Sequence, residues 1–359
     1  MIETLLEFLQ KHDSFVISTH IKPDGDALGS QLALGSFLKK LGKRVAMINS
    51  DPPAYNLYWL PDANELQVFD GSLDQREWIA NADAIIVVDT NALERLGKVG
   101  PAIENSTSYK ILIDHHTHPE KWFDLSYARE SASSTGELIY EIITAYDPNL
   151  IDSDIATMLY TAIMTDTGSF RYSSVTPELH RIVADILERG DIEPAPIHTS
   201  LYDTRSVQGL RLLGAALEGI QLSFNGQVGY TAITQRMVRD TGASLEETEG
   251  FVNYVLAIET VKAALIFTEL ASGTKVSFRS KGSTYVNEWA RSFGGGGHRN
   301  AAGAFIKRPL ESAIRDVIDA APRFIELEES KEEESDALSP EDMLYLSSLL
   351  DLKSQKTAQ

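Results

Sequence analysis

Three features of this 359-residue chain predict two α/β domains of unequal size. Short runs of Ile, Val and Phe alternate with longer helical patterns through the first half. Three of those runs stop at or just before an acid or a histidine. A second series of strands and helices, broken by a run of glycines, fills the remainder. Strands that are apolar throughout are buried from both sides, so the first domain should be a parallel sheet with helices on both faces. The second should be a smaller α/β domain with a mixed sheet.

The strands are expected at 14–19 (SFVIST), 44–49 (RVAMIN), 84–89 (AIIVVD) and 110–114 (KILID), with a helix over about 27–41 after the first. Further helices are expected over 133–146, 153–166 and 177–188. The segment 189–197 (RGDIEPAPI), with its glycine and two prolines, reads as the start of a linker. The expected division is therefore 1–188, a linker over 189–215, in which 197–219 can form a connecting helix pair, a second domain over 216–326, and a tail over 327–359. Strands near 219–224, 228–234, 262–269, 275–279 and 303–306 and a helix around 310–325 complete the second domain. The tail opens with an acidic run (ELEESKEEESD, 326–336), and 339–352 (SPEDMLYLSSLLDL) has the cap, the N1 proline and the apolar stripe of a short amphipathic helix.

Composition narrows the function. With 43% hydrophobic and 23% charged residues the chain is globular. Cysteine is absent, so a metal must be held by oxygen and imidazole; the absence also suits a reducing cytoplasm, where the protein is expected. The amino-terminal segment reads as an amphipathic helix rather than a signal peptide, and no apolar run reaches the roughly 18 residues that span a bilayer. A formal net charge of -20 disfavours a groove for long duplex DNA, yet a small phosphate ester can still be captured by local cations.

The chemistry-bearing residues stand where ligands bind in doubly wound sheets, outside the carboxyl ends of the strands. His20, Asp24 and Asp26 follow the first strand in STHIKPDGDALGS (18–30), where Pro23 and Gly25 force a tight loop. Asp89 closes the third strand, and Asp114-His115-His116 closes the fourth. Asp166 lies in Thr-Asp-Thr-Gly after a helix. Taken singly, each has a structural alternative: a turn capping the helix at 27, a paired strand-end aspartate, a helix C-cap. Oxygen ligands with imidazole suit manganese or magnesium, with iron, cobalt or zinc as alternatives.

In this order the motifs resemble the DHH phosphoesterase superfamily, which takes its name from the triplet found here at Asp114-His115-His116. The segment FGGGGHRNAAG (293–303) resembles the glycine-rich signature of the DHH-associated carboxyl-terminal domain, in the branch of oligoribonuclease/pAp phosphatases (nanoRNases) and cyclic-dinucleotide phosphodiesterases. The resemblance implies two divalent ions, manganese first and magnesium or cobalt as alternatives. His20, Asp24 and Asp89 would hold one; Asp26, Asp89, His115 and Asp166 would hold the other, with Asp89 shared. His116 would touch the scissile phosphate or protonate the leaving group, and Asp114 would orient a histidine ligand. Substrate would be bound in the cleft between the domains by Arg279, Gly295, Gly296, Gly297 and His298, with a surface arginine and a flexible loop as the plainer readings. The implied substrates are RNAs of two to five residues, linear or cyclic dinucleotides and pAp, and a homodimer is implied by resemblance alone. An exopolyphosphatase or other small-phosphate phosphatase is the second enzymatic reading. A non-catalytic nucleotide sensor is the third, and it predicts a lost ligand where none is missing.

Overall fold

A computed structural model describes residues 2–117 and 119–325; the acidic run and amphipathic helix expected over 326–352 lie outside these. The chain divides into two compact units at Val207/Gln208. The first contains, in chain order, α1 (Ile2–Lys11), β1 (Ser14–Ser18), α2 (Gly25–Lys40), β2 (Arg44–Asn49), β3 (Gln67–Val68), α3 (Leu73–Asn81), β4 (Ala84–Val88), α4 (Gly100–Glu104), β5 (Tyr109–Asp114) and β6 (Leu125–Ala128). Four helices follow: α5 (Thr135–Tyr146), α6 (Ser153–Asp166), α7 (Pro177–Gly190) and α8 (Pro194–Tyr202).

The six strands form one sheet in the order β3-β2-β1-β4-β5-β6, and every pair is parallel. Alternation along each strand splits the core into two layers. Phe15, Ile17, Ile86, Val88, Ile111 and Ile113 pack among residues of α1, α2, α5, α6 and α7. Val16, Ala46, Ile48, Ile85 and Val87 face Ile79 of α3, Leu96, Val99 and Ile103 of α4 on the other side. The strand order reverses between β1 and β4, so their carboxyl ends diverge there and leave a crevice.

Two helix–helix contacts bring the later residues to that crevice. A side-chain methyl at Gly29 of α2 would lie 2.4 Å from the Met158 carbonyl oxygen of α6, and one at Gly136 of α5 would lie 2.5 Å from Ala162 Cβ. Only glycine at these two positions lets the three helices approach so closely, and the approach sets Asp26, Asp166 and the start of α5 around one point.

The stretch 189–215, expected as a linker, is mostly helical: α7 runs to Gly190, and α8 begins at Pro194. A proline in the first turn lacks only an N–H that would have no helical partner, so Pro194 opens a helix where the sequence suggested a break.

The second unit contains α9 (Val207–Glu218, which begins at the boundary), β7 (Gln221–Ser223), β8 (Val228–Ile233), α10 (Gln235–Thr241), α11 (Phe251–Leu256), β9 (Ala263–Leu270) and β10 (Gly273–Ser280). After these come α12 (Asn287–Arg291), β11 (Gly296–His298), β12 (Ala301–Ile306) and α13 (Leu310–Ala320). Its sheet, β11-β12-β10-β9-β8-β7, is mixed, with β8 and β9 parallel and the other pairs antiparallel. Among the described residues no helix is long and apolar enough to cross a membrane.

Replacing Gly29 by alanine tests the close approach. The new methyl must push against backbone, so a loss of about 1–3 kcal/mol is expected despite alanine's better helix propensity. Differential scanning calorimetry reads this as a lower unfolding temperature, and an unchanged or higher one would contradict the packing described.

Candidate metal centre

The crevice between β1 and β4 gathers all the expected residues of the first unit. His20 stands two residues beyond β1, and Asp24 and Asp26 lie at the start of α2. Asp89 follows β4, Asp114 ends β5 with His115 and His116 after it, and Asp166 ends α6. Among the described residues three groups have ligand atoms within 4.8 Å of one another: His20, Asp24 and Asp89; Asp26, His115 and Asp166; and Asp89, His115 and His116.

Local structure aims each side chain. Asp24 caps α2, its Oδ1 accepting the N–H groups of Asp26 and Ala27, which leaves Oδ2 toward His20, 3.9 Å from Nε2. Asp26 is 1% exposed and accepts the N–H groups of Thr135 at 2.7 Å and Gly136 at 2.9 Å, together with the Ser30 hydroxyl at 3.0 Å. The amino terminus of α5 thus receives an aspartate, as the orientation of its free N–H groups favours. Asp89 has a positive φ of 56°, which aspartate tolerates better than most residues. The turn takes the chain out of the sheet immediately after β4, and the Thr135 hydroxyl donates to Asp89 Oδ1 at 3.0 Å.

Three histidines are anchored in two ways. His20 Nδ1 lies 2.8 Å from the Ile21 carbonyl and His115 Nδ1 lies 3.2 Å from the Ala132 carbonyl. A carbonyl only accepts, so the proton is assigned to Nδ1 and each Nε2 faces the carboxylates. That is the second-sphere arrangement usual for imidazole ligands. His116 Nδ1 instead pairs with Asp114 Oδ1 at 2.8 Å, and Asp114 is fully buried. Asp114 was expected to orient a ligand histidine; it orients His116, because the ligand candidate His115 turns its Nδ1 to a backbone carbonyl instead.

The spacing fits shared cations better than direct ion pairs. His20 Nε2 is 3.4 Å from Asp89 Oδ2, and His115 Nε2 is 3.6, 3.6 and 3.3 Å from Asp26, Asp89 and Asp166. Charge-assisted hydrogen bonds run shorter, about 2.7–2.9 Å. Ligands about 2.1 Å from one ion stand about 3.0–3.4 Å apart at octahedral or tetrahedral angles.

The electrostatics point the same way. Burial, joined by the charges of Asp89, Asp166 and Asp24, pushes the Asp26 carboxyl well above its ordinary range, against the Thr135 N–H. Burial pushes Asp166 up to about 6; Asp89 and Asp24 add to the rise while His115 and His116 oppose it. Burial would also raise Asp89, but in the absence of an ion the neighbouring rings of His20, His116 and His115, when protonated, outweigh it and hold Asp89 below the usual carboxylate range. Burial lowers the proton affinity of His116, yet the Asp114 hydrogen bond and the charges of Asp114 and Asp89 lift it to about 9.

The residues expected to bind substrate lie in the second unit. Arg279 of β10 and His298 of β11 share one register position, both opposite Ala301 of β12. Arg279 Nη1 donates to the Phe278 carbonyl and, among the described residues, meets no carboxylate within 4 Å. The glycine run, expected as a loop, includes edge strand β11. A methyl at Gly295 would lie 2.1 Å from the Gly303 carbonyl oxygen, and one at Gly297 would lie 2.5 Å from that of Ala301. These glycines therefore let one strand lie against another, while Gly296 faces open space. Reading the sequence missed Thr135 and Gly136 as supports of the centre. The Ser-Ser-Thr-Gly helix start was visible, but its meeting with Asp26 depends on the α2–α5 contact.

Residues 14–163 match the DHH family, N-terminal domain, and residues 225–327 match the DHHA1 domain. The chain is 32% identical over 305 residues to a bifunctional oligoribonuclease and PAP phosphatase of Thermus thermophilus, covering 85% of this chain and 88% of that one. It is 26% identical to the Bacillus subtilis protein of the same description, covering 84% and 92%. A crystal structure of an exopolyphosphatase-related protein from Bacteroides fragilis superposes with a TM-score of 0.85 at 30% identity, covering 90% of this chain and 97% of that one.

Crowding of carboxylates makes a direct prediction. In the presence of a chelator at neutral pH, Asp166→Asn should raise the unfolding temperature, because it removes one partly buried like charge. With saturating manganese the order should reverse, the wild type gaining more from the ion. Calorimetry under both conditions checks this; a variant less stable in chelator would argue against repulsion at the site.

Proposed function

This chain belongs to the DHH family, with a DHHA1 domain on its carboxyl side, and we propose that it is a divalent-metal-dependent phosphoesterase hydrolysing short oligoribonucleotides, dinucleotides and pAp to mononucleotides. The convergence of four carboxylates and two carbonyl-anchored imidazoles at the β1/β4 crevice carries this reading. The substrate class is supported by the relatives from Thermus thermophilus and Bacillus subtilis.

In this reading His20, Asp24 and Asp89 hold one ion, Asp26, His115 and Asp166 hold a second, and Asp89 is shared. Such a pair of ions supplies Lewis acidity to the attacking and leaving oxygens of the phosphate. Oxygen-rich sets with imidazole suit manganese, and magnesium or cobalt are the alternatives. Asp26 is held by three donors and Asp89 by the Thr135 hydroxyl, so neither carboxylate needs to reorganise when the site fills. His116, with its Nδ1 proton given to Asp114, presents Nε2 as a donor to the phosphate or its leaving oxygen. In the second unit Arg279, Gly295, Gly296, Gly297 and His298 serve substrate binding, the arginine as a phosphate donor.

A second reading, hydrolysis of polyphosphate, is favoured by the likeness to the exopolyphosphatase-related protein. Purified protein assayed with pApA, pAp, cyclic di-AMP and polyphosphate separates the two. Turnover of pApA and pAp that is lost with chelator and restored by manganese is expected; turnover of polyphosphate alone would replace the first reading by the second.

The histidine pair gives a separable prediction. His116→Ala should lower kcat by about 10²–10⁴-fold while manganese still binds, whereas His115→Ala should weaken manganese binding itself. Asp114→Asn should resemble His116→Ala in direction with a smaller loss. Isothermal calorimetry alongside steady-state kinetics reads both quantities, and loss of metal affinity in His116→Ala would overturn the assignment of roles.

A further inference from the structure

Arg95 lies six residues beyond Asp89, in the short 3-10 segment Leu93–Val99. Its backbone is fixed against the loop that carries His20. The Ile21 N–H donates to the Arg95 carbonyl at 2.7 Å, the Ser50 hydroxyl donates to the Leu96 carbonyl, and the Val99 N–H donates to Ser50 Oγ at 3.0 Å. Gly97 sits so close to Ile21 that a methyl there would fall 2.4 Å from Ile21 Cγ2. The segment cannot shift without moving the His20 loop.

The guanidinium is half-buried and, among the described residues, has neither a carboxylate within 4 Å nor a hydrogen bond. The other arginines of the first unit do have partners. Arg44 lies over Trp78, Arg76 donates to the Gly71 carbonyl and Arg171 to that of Gly168; Arg129, Arg181 and Arg189 pair with acids, and Arg205 is also engaged. Taking part of a guanidinium out of water without an anion costs free energy that a bound anion would return. The carboxylates of the centre do not serve as its counterion. None of Asp24, Asp26, Asp89 and Asp166 lies within 4 Å of the guanidinium, and divalent ions held by these carboxylates would take up their charge and leave that of Arg95 to another anion.

We propose that Arg95 binds the substrate phosphate at the β1/β4 crevice, beside the His20 loop, donating from its guanidinium to the non-bridging oxygens; the proposal rests on the phosphoesterase reading above for the identity of the anion. Arginine suits this position because its planar donors match a phosphate and its charge is permanent. Arg95 would then hold the phosphate from the first unit, independently of the second.

The full-length protein with Arg95→Ala and Arg95→Lys tests this by three measurements: manganese binding, binding of inorganic phosphate to the manganese-loaded protein, and kcat and KM for pApA. Manganese affinity and unfolding temperature should stay within about twofold and a few degrees of wild type. Phosphate affinity and kcat/KM should fall by about ten- to a hundredfold in Arg95→Ala, the range expected for a lost charged hydrogen bond. Arg95→Lys should recover part of both, because lysine restores the charge without the fork. Phosphate affinity in Arg95→Ala within about twofold of wild type would overturn the proposal, as would a parallel fall in manganese affinity. If the wild type turns over no phosphate ester, the functional reading fails, and the phosphate-binding comparison still decides the role of Arg95. Should Arg95→Ala not fold, Arg95→Lys decides alone, since reduced phosphate affinity at unchanged manganese affinity is expected of it.

Discussion

Two buried aspartates, Asp26 and Asp89, stand beside the partly buried Asp166 and the exposed Asp24, and the first unit is arranged around that crowding of like charge. Taking a carboxylate from water costs several kcal/mol unless it is paired or hydrogen-bonded. Asp26 and Asp89 are nonetheless almost fully buried. The protein meets part of the cost with neutral donors: two N–H groups from the start of α5, the Ser30 hydroxyl and the Thr135 hydroxyl. Those donors direct the carboxylates without cancelling their charge, which remains available to cations. A core filled instead with arginine partners would be more stable when empty and unable to bind a metal.

The arrangement depends on features far from any ligand. The reversal of strand order at β1/β4 opens the crevice, and the glycines at 29 and 136 let α2, α5 and α6 approach until Asp26 meets the start of α5. The histidines show how little sequence distance matters beside such contacts. His115 and His116 are neighbours in the chain, yet one hydrogen-bonds a backbone carbonyl and the other a buried carboxylate. A carbonyl fixes a tautomer without adding charge, whereas Asp114 also raises the proton affinity of the ring it holds. One ring is thereby suited to donate a lone pair and the other to donate a proton.

Strand-end chemistry was the most legible part of the molecule. Apolar strands that stop at Asp89 or Asp114 leave an acid at the sheet edge, and parallel pairing carries those ends to one side; the α/β class and the cluster follow from period and polarity. What stayed hidden rests on tertiary contact. Nothing in the residues around Asp114 says which histidine it meets. Pro194 read as a break because a proline at a helix start and one in a linker look alike without the third dimension. The four glycines suggested a phosphate loop, but the absence of a side chain also serves strand-to-strand contact, and β11 uses it so at Gly295 and Gly297. Arg95 drew no notice because an unpaired charge is defined only by what surrounds it.

The overall charge of -20 conflicts with a phosphate-binding site only if charge is summed over the whole surface. At physiological ionic strength fields are screened over about 8 Å, so a short nucleotide responds to the few groups within that distance. There it meets the cation-binding crevice, His116 and Arg95. The phosphates of a long polyanion that lie beyond these groups and Arg279 meet the field of a protein with a net charge of -20, and each adds repulsion. Concentrating positive charge at one point on an acidic protein therefore favours short substrates through electrostatics alone, without a wall to exclude longer ones.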